Sequence, residues 1–148
     1  MTAKRYRHDG PNAEAYDLGA VKAQMNPARI LVAEDNEDNA ELLREFLESR
    51  GYSVAFAPDG NRAIDMGGSG NYDLIILDVH MPLYEGPEVL KMLRARHKLR
   101  PVKVIALTAD PLPEVRRELE AAGLDGFIAK PVDLQQLEKE VARVLAKP

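Results

Sequence analysis

The sequence predicts an open, doubly wound α/β sheet of five parallel strands. Three observations predict it. Short apolar runs recur along the chain: Ile30-Leu31-Val32-Ala33, Leu74-Ile75-Ile76-Leu77, Val104-Ile105-Ala106-Leu107 and Phe127-Ile128-Ala129. Continuous runs of this length, rather than alternating ones, are what strands buried on both faces look like. Segments with helical periodicity separate them, so the unit is strand then helix, five times over. Each run ends in a polar side chain: Glu34-Asp35, Asp78, Thr108 and Lys130. In a parallel sheet the ligand site lies outside the carboxyl ends of the strands. Three acids, a hydroxyl and an amine should therefore meet along one edge.

The elements follow in order. Residues 1–27 form a leader, either loose or a docked helix, with a basic cluster of Lys4, Arg5 and Arg7 and a break at Gly10-Pro11. Residues 28–148 form the folded domain. After the first strand, Asn36 is a helix N-cap, and Glu37 and Asp38 suit the first turn electrostatically. Leu43, Phe46, Leu47 and Arg50 mark the faces of that helix, and Gly51 ends it. The second strand is Tyr52–Ala57, and Pro58-Asp59-Gly60 turns into a short second helix. Gly67-Gly68-Ser69-Gly70 reads as a flexible connection to the third strand. The third helix follows Pro87 and turns Val89, Leu90 and Leu93 inward. The fourth runs from Pro113, a first-turn proline, to Gly123. The fifth starts after Asp133 and buries Leu134, Leu137, Val141 and Leu145 at spacings of three and four.

Five such units are too few for an eight-stranded barrel. The remaining arrangement is the flavodoxin-like strand order 2-1-3-4-5, with right-handed crossovers placing helices on both faces. Its switch point lies between strands one and three, which end in Glu34-Asp35 and Asp78.

Composition narrows the function. The 148 residues are 45% hydrophobic, enough for one domain with a real core, and the net charge of −4 argues against nucleic acid as a direct partner. Cysteine is absent, which removes disulfides, thiolate metal sites and cysteine nucleophiles. No apolar stretch approaches a membrane span, so the expected location is the cytoplasm. The loop after the first strand, Glu34-Asp35-Asn36-Glu37-Asp38, would repel a nucleotide or flavin phosphate, and no Gly-rich dinucleotide or Walker pattern appears.

Crowded carboxylates need a counterion. Oxygen ligands without cysteine favour a hard divalent ion such as Mg²⁺. Lys130 supplies a point charge and Thr108 a hydroxyl donor, so metal, amine and hydroxyl make the electrostatic clamp that phosphoryl transfer requires. Asp78, ending the central strand, is placed to be the nucleophile and to carry an aspartyl-phosphate.

The segments Ile30–Asn36, Leu74–Pro82, Glu85-Gly86, Leu107-Thr108-Ala109 and Phe127–Pro131, in that order, resemble the response-regulator receiver domain of two-component signalling. The resemblance covers about residues 29–146. It implies that Asp78 takes phosphate from a histidine kinase or a histidine phosphotransfer protein. It implies Mg²⁺ held by Asp35 and Asp78, by Glu34 through water and by the backbone carbonyl of His80. It makes Lys130 a contact to the acyl phosphate, Thr108 and Phe127 the switch pair, and Lys130-Pro131 a cis bond. It assigns the output surface to helix 4, strand 5 and helix 5, through which a downstream protein target is met and homodimers are common in the family. With no output domain after Pro148, signalling by protein contact is expected, from a stand-alone regulator, a relay component or the receiver of a hybrid kinase.

The expected catalysis is confined to the chain's own phosphorylation and dephosphorylation. A Mg²⁺-dependent phosphatase would need a second acid where His80 stands. A receiver-shaped module that takes no phosphate would not need the whole residue set that is present here. Two positions depart from the commonest pattern, Glu34 and Glu85, each in place of Asp. His80 and Asp110 sit where the lifetime of the phosphoryl group is expected to be set.

Overall fold

The structure is a computed structural model that describes residues 27–81, 86–96, 102–109 and 113–148. Expectations about residues 1–26, Glu85, Asp110 and the segment before Pro113 lie outside the described residues. The elements run β1 (Arg29–Ala33), α1 (Glu37–Ser49), β2 (Ser53–Ala57), α2 (Gly60–Gly67), β3 (Leu74–Asp78), α3 (Gly86–Arg96), β4 (Lys103–Thr108), α4 (Pro113–Ala121), β5 (Gly126–Ala129) and α5 (Leu134–Leu145). The sheet is parallel, in the order β2-β1-β3-β4-β5, as the strand and helix pattern predicts.

Alternation along each strand splits the core into two layers, because successive side chains leave opposite faces of a sheet. Leu31, Ala33, Ile75, Leu77, Val104 and Ala106 face one layer, with Ile64 of α2, Val89, Leu90 and Leu93 of α3 and Leu119 of α4. Ile30, Val32, Leu74, Ile76, Ile105, Leu107 and Ile128 face the other, with Leu43 and Leu47 of α1 and Leu137, Val141 and Val144 of α5. Burial on both faces is why the strands read as unbroken apolar runs.

The helix starts agree with their capping chemistry. Asn36 accepts from the Asn39 backbone N–H at 2.9 Å, and Asp133 accepts from Gln135 and Gln136. Asp59 caps α2 by accepting from Arg62 at 2.8 Å. Each satisfies an N–H that the helix cannot pair internally. Gly51 and Gly123, with φ of 93° and 97°, supply the left-handed turns after α1 and α4.

Three expectations change. The second strand begins at Ser53, because the Tyr52 N–H turns back to Leu47 O at 3.2 Å as part of the helix end. The run Gly67–Gly70 is no simple flexible link. Gly67 closes α2 and is buried, and a Cβ there would overlap Ile75 Cδ1 and stand 2.9 Å from Leu93 Cδ2. Small size at a close approach is its physical reason, while Gly70, with φ of 84°, makes the turn. On α5, Val144 is buried, whereas Leu134 and Leu145 are half-buried at the rim.

Candidate functional site

Strand register builds the site. Ala33, Leu77, Ala106 and Phe127 stand in one row across β1, β3, β4 and β5. Everything just past that row lies at the carboxyl lip of the sheet. Glu34 and Asp35 follow Ala33, Asp78 follows Leu77, Thr108 closes β4 and Lys130 follows β5. The lip is stitched by backbone bonds: Glu34 N–H to Ala57 O, Val79 N–H to Leu107 O and Lys130 N–H to Thr108 O at 2.8 Å.

Glu34, Asp35 and Asp78 each offer a carboxylate oxygen within 4.8 Å of the others. Glu34 and Asp78 are buried, whereas Asp35 faces solvent. Lys130 Nζ donates to Asp78 Oδ2 at 2.7 Å and lies 3.6 Å from Glu34 Oε1. The other Asp78 oxygen accepts from the His80 backbone N–H at 3.0 Å. Thr108, also buried, ends the neighbouring strand.

Electrostatics make this an unbalanced cluster. Burial, followed by hydrogen bonding and repulsion from Asp78, pushes the Glu34 carboxyl up to about 7. Burial would lower the Lys130 ammonium, but Asp78 and Glu34 outweigh it and hold the group above its usual range. One lysine cannot neutralise three acids, so a proton on Glu34 relieves the excess. A divalent cation would relieve it more completely. The donor set is all oxygen, two of its acids are buried, and one is open to solvent. It fits a hard ion that keeps water ligands, as Mg²⁺ does.

Gly86, another motif residue, packs directly against the residue that follows Asp78. A Cβ there would meet Val79 Cα at 2.8 Å, and the Gly86 N–H donates to Val79 O at 3.0 Å. Only a glycine lets α3 begin this close to the residue after Asp78. The His80 side chain is exposed, as are Glu37 and Asp38 in the first turn of α1. The Lys130-Pro131 bond is cis.

The structure thus brings together Glu34, Asp35, Asp78 and Lys130, with Thr108 on the adjoining strand end. Phe127 stands apart from them, half-buried against the α2–α3–α4 layer. Two residues that the sequence reading missed hold Phe127. The Arg116 guanidinium lies 4.5 Å from its ring centroid, and Glu140 Oε2 accepts its backbone N–H at 3.0 Å. Both contacts are tertiary. Locally, Arg116 pairs with Glu120 and Glu140 with Arg143 on their own helices.

A parallel five-stranded sheet with an acid cluster and a lysine at its switch point defines a receiver-type α/β domain. The chain belongs to the response regulator receiver domain family, whose pattern it matches over residues 30–142. It is 37% identical over 113 residues to the sensory/regulatory protein RpfC of Xanthomonas campestris, covering 75% of this chain. The chain spans only 16% of the length of that relative. Among solved structures, it resembles the receiver domain of the sensor histidine kinase PA1611 from Pseudomonas aeruginosa, which has a magnesium ion coordinated in its active-site cleft. That match has 32% identity and a TM-score of 0.73, and covers 81% of this chain and 98% of that one. It also resembles a chain in the co-crystal structure of the Saccharomyces cerevisiae phosphotransfer protein Ypd1 with the receiver domain of Ssk1. There the identity is 29% and the TM-score 0.70, covering 78% of this chain and 86% of that one. Among the described residues, no helix is long and apolar enough to cross a membrane.

Proposed function

We propose that the chain is a phosphorylation-dependent switch that accepts a phosphoryl group on Asp78 from a phosphohistidine of a kinase or phosphotransfer protein. One observation carries this reading: a buried Asp78 carboxylate, paired with Lys130 at 2.7 Å, stands among two further acids at the lip of the sheet. The magnesium-bearing relative and the relative crystallised with a phosphotransfer protein support it.

In the proposed transfer, an Asp78 oxygen attacks phosphorus, the P–N bond to the donor histidine breaks, and the imidazole leaves with the electron pair. Asp35 and Asp78, with Glu34 through water and the His80 carbonyl, would hold Mg²⁺, which when bound would neutralise charge between the carboxylates and the incoming phosphoryl oxygens. Lys130 orients Asp78 beforehand and then pairs with the acyl phosphate. The Thr108 hydroxyl donates to a phosphoryl oxygen. The His80 N–H keeps the second carboxylate oxygen oriented, so the nucleophile arrives with little rotational freedom left to lose.

Phosphorylation then biases two conformations of the domain, and Thr108 and Phe127 report the change to the α4–β5–α5 face, where a downstream protein binds. The chemistry is confined to phosphorylation and dephosphorylation of the chain's own Asp78 carboxylate.

The test is incubation with Mg²⁺ and acetyl phosphate, followed by intact-mass measurement. The protein should gain one phosphoryl group, and Asp78→Asn should gain none. Equal gain by the variant, or no gain by the parent, would reject the reading.

A further inference from the structure

We infer that Arg116 is a latch on Phe127, restraining the seam between α4 and β5 while Asp78 is unmodified. The inference rests on the switch reading above and adds the element that sets its threshold. The guanidinium stands 4.5 Å from the ring centroid, inside the reach of about 6 Å for a cation–π contact. Arg116 Nε also lies 3.5 Å from Glu120 Oε2, one turn further along α4. The guanidinium is therefore held on one side by its own helix and on the other by the ring of the next strand.

The backbone of Phe127 is fixed from the opposite direction. Its N–H donates to Glu140 on α5, and Arg143 in turn binds both oxygens of Glu140 at 2.8 and 3.0 Å. A Cβ on the preceding Gly126 would lie 2.8 Å from Glu140 Oε2 and 2.9 Å from Val144 Cγ2, so α5 sits flush on β5 there. With the amide pinned by α5, the ring is the part of Phe127 left to move, and Arg116 covers it from α4.

The same short strand leads to the phosphoacceptor. Phe127 pairs with Ala106 and Ala129 with Thr108, and Lys130 follows directly. The Lys130 N–H is bonded to Thr108 O, and its Nζ to Asp78. A phosphoryl group on Asp78 adds charge and bulk where Nζ now sits. Lys130 and the end of β4 must readjust, and three residues of strand carry that strain back to Phe127. Any resulting ring movement has to break the Arg116 contact. A half-exposed cation–π contact opposes the active conformation by about two- to fivefold in its equilibrium constant.

The experiment uses the full chain carrying isotope-labelled phenylalanine. There are three phenylalanines, Phe46, Phe56 and Phe127, so the ring spectrum is simple, and Phe127→Leu assigns the signal. Beryllium fluoride is titrated in with Mg²⁺ as a phosphoryl mimic. In the parent the Phe127 ring signal should move on titration. In Arg116→Ala it should start displaced toward the mimic-bound position, with half-saturation lowered two- to fivefold. Glu120→Gln, which leaves the guanidinium in place but unanchored, should shift both in the same direction by less. Arg116 and Glu120 are more than half exposed, so neither change threatens folding.

Unchanged half-saturation and ring position in Arg116→Ala would overturn the latch. If the parent still responds and Asp78→Asn does not, the switch reading stands. A Phe127 signal that stays still while the mimic binds would also overturn the latch alone. A parent that binds no mimic at Asp78 would remove both.

Discussion

Mg²⁺ binding should depend on pH through Glu34. That carboxyl is held at about 7 by burial, then by its hydrogen bond to Asp78 and the charge on it. A metal and a proton compete for the same excess of negative charge, so affinity follows the ionised fraction of Glu34. With a midpoint near 7, that fraction is about one-tenth at pH 6 and about nine-tenths at pH 8, and Mg²⁺ affinity should rise about tenfold between them. In the proposed site Glu34 would reach the ion through water, which makes this an upper figure. The stability of the metal-free protein moves the opposite way. The folded-state value lies above the ordinary 4.5, so the folded chain binds more protons than the unfolded chain between those limits. This contribution is fully present below about pH 4.5 and is lost as pH rises through 7. Saturating Mg²⁺ should therefore raise the melting temperature more at pH 8 than at pH 6. Calorimetric titration at both pH values, with Glu34→Gln as the control, measures it. The variant should lose the slope. Equal parent affinity at the two pH values, or an unchanged slope in Glu34→Gln, would refute the reasoning.

Two further changes test neighbouring parts of the account. Lys130→Met removes the ammonium that serves two buried acids, and should destabilise the metal-free protein by about 2–3 kcal/mol at pH 8. The loss should be smaller at pH 6, where a proton on Glu34 substitutes for the lysine, and denaturant melts at the two pH values would show whether it is. Gly67→Ala should cost about 1–2 kcal/mol despite the better helix propensity of alanine, because Ile75 and Leu93 are buried and cannot move aside. An equally stable or more stable variant would show that the α2–β3 approach is looser than its distances indicate.

Much of the site is legible in the sequence. Asp78, Thr108 and Lys130 terminate runs such as Leu74–Leu77, whose continuous hydrophobicity follows from burial on both faces, and parallel strands put such termini on one lip. Asn36 and Asp133 were readable because caps act within one turn of helix. Other features depend on partners that are distant in the chain. Gly67 resembles linker glycine until Ile75 and Leu93 are seen against it. Arg116 and Glu140 look like solvated helix residues, and nothing local marks them as holding the ring and the amide of Phe127. The raised value of Glu34 likewise follows from burial and from Asp78, which is 44 positions away, and not from its immediate sequence.

The most direct measurement locates the modified atom. After incubation with Mg²⁺ and acetyl phosphate, borohydride reduction converts an aspartyl-phosphate to homoserine, which peptide mass mapping assigns to a position. Homoserine is expected at position 78, formed with Mg²⁺ and lost when the metal is chelated. Reduction at another carboxylate, or a yield that is indifferent to Mg²⁺, would contradict it.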